Sequence, residues 1–373
     1  MILKTNLKSL LVAASSLFIV TFSNTSFAQE NNQNTTIEAK SNEEKSGDFK
    51  PGDVIMEHIM DNHDFHFAEI GGKHISIPLP VIIYSPQRGF TAFSSGNFNH
   101  GKTAYQGYKL TEKGVIVAVK KDDVTIDATV KAYDFSMTRN VVQMLLALTV
   151  LVVLVIGVAN KYKRNGANVA PSGFQNALEP VITFIRDEVG ISNLGRKHEN
   201  YMPYLLTVFF FILICNIFGL VPGSANVTGN IAFTVVLGII SFFAILLSTD
   251  KHFWAHIFNP PVPGFVKPIL ILVEFLGIFT KPFALIIRLF ANMVAGHMII
   301  TCLVMMIFIF SKLSLGAGLG FAPISLGFTI FIYLIEILVA FIQAFIFTNL
   351  TAVFIGQAFE GGELEELHGG AHH

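Results

Sequence analysis

Cysteine is nearly absent. Only Cys215 and Cys302 occur in 373 residues, both inside apolar runs where they read as small core residues. No soluble part of the chain therefore has a disulfide framework, even in an oxidising compartment. Charge is also sparse, with Asp, Glu, Lys and Arg at 14% and a formal net charge of -1. No basic stripe interleaved with aromatics is present, which argues against nucleic acid as a partner. The sequence contains no H-E-x-x-H pattern, no Ser, His and Asp grouping and no phosphate-binding Gly-rich loop, so no catalytic residue, bound metal or cofactor is expected. What the chain does have is apolar sequence: 52% of its residues, in several runs of about 20, the length that spans a bilayer. It reads as a polytopic membrane protein.

At the amino end, Lys4 and Lys8 precede an apolar stretch over residues 10–22, and Ser26, Phe27 and Ala28 offer small residues for a cut. Residues 1–28 are expected to be a signal peptide cleaved after Ala28. An uncleaved anchor is the alternative, disfavoured because the stretch is short and holds two serines. Residues 29–50 are mostly Asn, Gln, Glu, Lys and Ser with almost nothing apolar and read as a flexible linker. Residues 51–135 read as a small, β-rich exported domain, with 75–84 strand-like and 115–130 alternating around Lys120, Lys121, Asp122 and Asp123 as a hairpin does. His58, His63, His66 and His74 lack a recognisable ligand motif, so surface histidines are favoured over a metal site.

Residues 136–359 form the expected membrane domain. Ser136 and Thr138 are candidate caps for a span over 141–158 that ends at Lys161, Lys163 and Arg164, a basic cluster marking the cytoplasmic side. With the amino end exported, that span runs outside to inside. Phe174, Ala177, Leu178, Val181 and Ile185 recur at helical spacing between Gln175, Glu179, Arg186 and Asp187, an amphipathic helix for the cytoplasmic surface. Residues 203–221 then cross outward, 222–229 form an external loop without Lys or Arg, and 230–248 return. Asp250, Lys251 and Lys267 place the next loop inside.

Two longer segments follow, 269–310 and 324–359, each exceeding a perpendicular span and so expected to be tilted or broken, with Lys281 and Pro282 the natural break in the first. A short external loop holding Gly316, Gly318 and Gly320 makes them antiparallel, and the tail at 360–373 is cytoplasmic. The expected fold class is an all-α polytopic membrane protein of about five transmembrane helices, the last two long and tilted, plus one cytoplasmic amphipathic helix and the β-rich exported domain.

Ionisable groups inside spans are functional candidates, because a central Arg costs about 2.5 to 3.5 kcal/mol on insertion scales and needs compensation. Four stand out: Glu274, Arg288, His297 and Glu336, with Asn292 and Gln343 as polar companions. At about 1.5 Å per residue, antiparallel counting sets Arg288 level with Gln343 and His297 level with Glu336. A His and a carboxylate in the outer half, an Arg at mid-depth and Glu274 in the inner half describe a proton route interrupted by a fixed positive charge. Nine residues at about 100° each turn His297 nearly opposite Arg288, whereas Asn292 shares the arginine's face, so His297 is expected to meet another neighbour such as the helix carrying Asn216. For Asn292 or Gln343 alone, simple bonding between helices is an equal reading.

The run KPFALIIRLFANMVAGH over residues 281–297, with its R-L-F-x-N-x-x-x-G core, resembles the signature of ATP synthase subunit a. QAFIF over 343–347 resembles the signature of that family's last helix, and NIFGLVP over 216–222 the end of an earlier one. The resemblance covers residues 141–359. It implies that Arg288 is the essential arginine facing the c-ring and Gln343 its companion. It also implies that His297 and Glu336 are a relay pair in the periplasmic half-channel and that Glu274 belongs to the cytoplasmic one. Gly219 departs from relatives that carry an acid there, and the domain before Tyr133 inherits no role. Further implied partners are b-type peripheral stalk subunits and the other ATP synthase subunits, which would hold the nucleotide chemistry, in a bacterial inner membrane. Proton against sodium use depends largely on the ring. A stand-alone secondary transporter would show an inverted repeat with broken helices in both halves, and only one such region occurs. A membrane metalloenzyme would need a third ligand near His297 and Glu336.

Overall fold

The computed structural model describes residues 61, 63–70, 73–99, 101, 103–111, 114–120, 125–127, 129–166, 173–221, 224–249, 257–258 and 265–369. The expected signal peptide and linker, His58, and Lys121 to Asp123 lie outside them, as do Asp250 and Lys251. The chain divides into two compact units, one within residues 140–297 and 330–369, the other within 61–139 and 298–329.

In the second unit, strands β1 (Asp64–Ile70) and β2 (Lys73–Pro78) pair antiparallel with a bulge between His66 and Ala68. Strand β3 (Pro80–Ser85) is central in a sheet between β4 (Gly89–Ser94) and β7 (Tyr133–Asp134), and β5 (Tyr108–Leu110) pairs with β6 (Ile116–Ala118). The two-residue side-chain period sends Val81 and Ile83 inward to meet Phe98, Tyr108, Ile116 and Ala118 as the core, while Pro80 and Tyr84 stand outside. Gly89, at φ 79, closes the β3–β4 turn in a conformation other residues adopt at a penalty. Arg88 in that turn donates to the carbonyls of Gly107 at 2.6 Å and Val119 at 3.0 Å, tying the two hairpins together.

Two expectations for this region need correcting and one holds. The strand-like run 75–84 is two strands divided at Leu79, whose amide instead bonds the Ser95 hydroxyl at 2.9 Å. The stretch 115–130 folds back on itself as a hairpin does: Lys120 N donates to the Thr125 carbonyl and Asp127 N to that of Ala118, each at 2.9 Å, about an antiparallel bridge between Val119 and Ile126, while β6 also pairs backward with β5. And His63 is not a surface histidine. It is 3% exposed, with Nε2 2.9 Å from Asp134 Oδ2. Burial raises the Asp134 pKa, but the hydrogen bond and charge of His63, with donors from Ser136, bring it below the ordinary carboxylate value.

The membrane helices are α1 (Arg139–Asn165), α2 (Phe174–Phe184), α3 (His198–Leu220), α4 (Ile231–Leu247), α5 (Lys267–Leu313) and α6 (Leu315–Gly369). A π-helical stretch, Ile185–Ile191, and a break at Gly195 (φ 52) separate α2 from α3. Asn230 caps α4 by accepting from Ala232 N at 2.9 Å. Arg139–Arg164, Phe174–Leu220, Lys267–Lys312 and Leu315–Gln357 are long and apolar enough to cross a bilayer, and Ile231–Leu247 is a shorter apolar helix. In the first unit α3 is central: Leu205, Phe209, Ile212 and Cys215 are fully buried among Ala147, Leu289, Phe347 and Ile355. Close helix approach is set by glycine, since a Cβ on Gly238 would strike Ile286 and one on Gly356 the Asn193 carbonyl oxygen.

Helix α5 is unbroken at Lys281 and Pro282, contrary to expectation. A membrane helix tolerates the missing donor when neighbouring groups and local adjustment re-satisfy the backbone. The expected loop of glycines is also absent: Ser314 alone links α5 to α6, its hydroxyl accepting from Ala317 N at 3.0 Å, so Gly316, Gly318 and Gly320 begin α6. Gly318 is required by proximity, because a Cβ there would collide with Ser311. Cys302 is exposed rather than a core residue. Helix α6 continues to Gly369, through most of the expected tail.

Candidate functional site

The site is built on α5, α6 and α3. Leu285, Leu289, Met293 and Gly296 are buried and recur at helical spacing, which turns the opposite stripe of α5, with Ala284, Ile287, Arg288, Ala291 and Ala295, to the outside. Arg288 thus stands exposed at the middle of an apolar helix, between small alanines. Among the described residues its guanidinium has no hydrogen-bond or ion-pair partner. Asn292, one turn on, is half-buried, and its Nδ2 has no hydrogen-bond partner among the described residues.

Eight residues beyond Arg288, α6 comes close to α5. Glu336 is 8% exposed, and its carboxylate lies so tightly on Gly296 that a Cβ there would overlap it. His297, half-buried, is the next residue, so its backbone is at the level of that carboxylate. Seven residues further along α6 is Gln343, which is buried; antiparallel counting from the Gly296 contact sets it level with Leu289, about one residue from Arg288. Between Glu336 and Gln343, one turn from each, the Ala340 carbonyl accepts from Asn216 Nδ2 at 3.2 Å. Asn216 is fully buried, and its Oδ1 has no hydrogen-bond partner among the described residues. The α3–α4 connection adds Asn226, which donates to the Met293 carbonyl at 3.2 Å and accepts from Gly229 N at 3.0 Å. A Cβ on Gly219 would lie 3.2 Å from Asn226 Oδ1 and 3.3 Å from Met293 Cε, so a side chain at position 219 requires both neighbours to shift by a few tenths of an ångström.

A separate polar group lies toward the start of α5. Lys281 Nζ donates to Gln357 Oε1 at 2.9 Å and stands 4.8 Å from the Phe354 ring centre. Glu274, two turns earlier, acts on the same ammonium electrostatically. The structure therefore gathers Asn216, Glu336 and Gln343 around residues 289–296, groups Glu274 with Lys281 and Gln357, and leaves Arg288 and Asn292 on the α5 face between. Sequence reasoning missed Lys281, Gln357 and Asn226 as members. Lys281 carried the signal, an ionisable residue inside a predicted span, but was read only for the proline beside it. Among the described residues no three His, Cys, Asp or Glu side chains assemble as a metal site.

The sequence model of the family described as "ATP synthase A chain" matches residues 141–356. The chain belongs to the ATP synthase subunit a family. It is a membrane-embedded subunit of the ATP synthase membrane sector, concerned with proton transport and ATP synthesis. The subunit a of Chloroherpeton thalassium is 46% identical over 247 residues, covering 65% of this chain and 72% of that one. Subunit a of Chlorobium phaeobacteroides is 39% identical over 329 residues, 86% of this chain and 81% of the relative. The family extends to Anaeromyxobacter dehalogenans, whose subunit a is 41% identical over 235 residues, 60% of this chain and 58% of that protein. A second model, described as "Domain of unknown function (DUF8433)", matches residues 54–135, the segment before the first membrane helix.

Proposed function

We propose that this chain is the proton-translocating stator of the ATP synthase, non-catalytic itself, coupling proton flow to rotation of a c-ring through two offset half-channels separated by Arg288. The observation that carries this reading is Arg288 exposed on α5 without a partner among the described residues, with a polar group about 12 Å along the helix on one side and another about 10 Å on the other. A guanidinium in a membrane needs a counter-charge. A ring carboxylate from a neighbouring subunit supplies it, and the exposed alanines let a second helix approach closely.

The division of labour follows. A guanidinium stays protonated, so it carries no proton itself; it favours the ionised form of a carboxyl facing it and blocks direct leakage between the half-channels. Protons enter from the periplasm through His297 and Glu336, with Asn216 and Gln343 lining the route and Asn292 beside the arginine. They ride the ring on neutral carboxyls and leave past Glu274. Each charge crossing 100 mV releases about 2.3 kcal/mol, so several are summed by rotation for one ATP. The reading sets residues 51–135 in the periplasm after removal of residues 1–28, the carboxyl end in the cytoplasm of a bacterium, and b-type stalk subunits holding the stator still.

Disulfide trapping in native membranes tests the arrangement, with Cys at Ala284 or Ala291 paired against Cys beside the ring carboxyl and Leu289→Cys as the inward-facing control. Ring adducts from the two alanine positions alone are expected. Adducts from Leu289→Cys alone would overturn the assignment of this face.

A further inference from the structure

The β3-centred sheet turns one face to the core and leaves the other uncovered by the described residues, and that exposed face is aromatic. Tyr84 is paired in register with Phe90 on one side and Tyr133 on the other, and the three are 47%, 69% and 46% exposed. The row is continued by the neighbouring residues of the outer strand. Phe135 N donates to the Ile82 carbonyl at 2.8 Å and Met137 N to that of Pro80 at 3.2 Å, while Ile82 N donates to the Ser136 hydroxyl at 3.0 Å. Exposure alternates strictly along this stretch: Lys131, Tyr133, Phe135 and Met137 point out, and the intervening residues are half-buried. The sheet ladder therefore runs to within two residues of Arg139, where the first membrane helix begins.

We propose that this aromatic face lies on the outer surface of the bilayer and holds the exported domain down on the lipid headgroups. Three observations favour lipid as the occupant. Continuity is the first: the exposed sheet residues lead directly into a helix whose own exposed residues, among them Leu146, Val153 and Ile156, are apolar. At no more than about 3.5 Å per residue, six residues from Tyr133 to Arg139 span at most roughly 21 Å, so the row cannot leave the neighbourhood of the membrane. The second is chemistry, since tyrosine rings with an apolar body and a polar tip partition to the headgroup level. The third is charge. The one acid of this stretch, Asp134, is bonded to His63, while Lys131 shares the outward face, which suits an anionic lipid surface.

The test uses the assembled ATP synthase in native membranes, with p-benzoylphenylalanine replacing Phe90, Tyr84 or, as control, Asn97, which neighbours Phe98 on the core side of the sheet. Irradiation is expected to give phospholipid adducts from positions 90 and 84 and none from 97. In parallel, a fluorophore on Phe90→Cys, in a Cys302→Ala background, is expected to lose most of its emission to a nitroxide carried on the lipid headgroup and little to one dissolved in water. Adducts to another polypeptide from positions 90 and 84, or quenching at 90 that follows the water-borne nitroxide, would overturn the proposal.

Discussion

Gly296→Ala isolates the contact that positions the Glu336 carboxylate. In an α-helix the change is intrinsically favourable by about 0.8 to 1.0 kcal/mol. The new methyl would overlap the Glu336 carboxylate, the free end of a flexible side chain, and moving it off its rotamer costs about 0.5 to 1.5 kcal/mol. The two nearly cancel, so folding and assembly are expected to survive. The carboxylate, however, must withdraw by roughly 1 Å, and misplacement of that size in a proton-transfer group lowers rate by about ten- to a hundred-fold. The assay is ATP-driven acidification of inverted vesicles, normalised to assembled complex and to hydrolysis by the detached catalytic sector. Glu336→Asp in the same chain removes one methylene and is expected to recover part of the loss. Native pumping by Gly296→Ala at matched assembly would refute the reasoning that Glu336 works from this position.

Glycines whose added methyl would meet no functional side chain are expected to behave in the opposite way. Gly356→Ala sets a methyl against the Asn193 backbone carbonyl and Gly238→Ala against the Ile286 side chain; overpacking of this kind costs about 1 to 3 kcal/mol. Thermal stability of the purified complex should fall for both, further for Gly356→Ala because backbone yields less than a side chain. Lys281→Met removes the bond to Gln357, a charge-assisted interaction worth about 1.5 kcal/mol of stability, so the thermal stability of the purified complex is expected to fall and Lys281→Arg to restore it in part. For the domain before α1 the sign follows from Asp134, whose folded pKa is lowered. Its contribution is present above the unfolded value of about 3.9 and lost as pH falls through the folded value. Protease resistance of residues 61–139 in the full chain is expected to fall over that acidic window, and Asp134→Asn to flatten the dependence.

Long apolar runs with polar punctuation were legible because lipid imposes a length and a composition on every span. The returning span read over 230–248 is such a case, and the helix runs over Ile231–Leu247 with Asn230 as its cap. The levels of polar groups were legible too: counting along two antiparallel helices set Glu336 beside His297, and its carboxylate lies on residue 296. What stayed hidden depends on tertiary packing. Pro282 reads as a breaker by local rules, yet α5 continues through it. The glycines at 316–320 read as a loop, yet Gly318 permits two helices to touch at Ser311. His63 was one of four unremarkable histidines until β7 brought Asp134 to it across 71 residues of sequence. The direction of Arg288 was beyond periodicity as well, because only the neighbours of Leu285, Leu289 and Met293 define which stripe of α5 is inside.

The central claim is that Arg288 separates two proton routes and works on a partner's carboxyl. ATP-driven proton pumping by Arg288→Ala, measured in inverted vesicles at matched assembly, tests it most directly. The account predicts no pumping while the catalytic sector still hydrolyses ATP; coupled pumping at the native rate would contradict it.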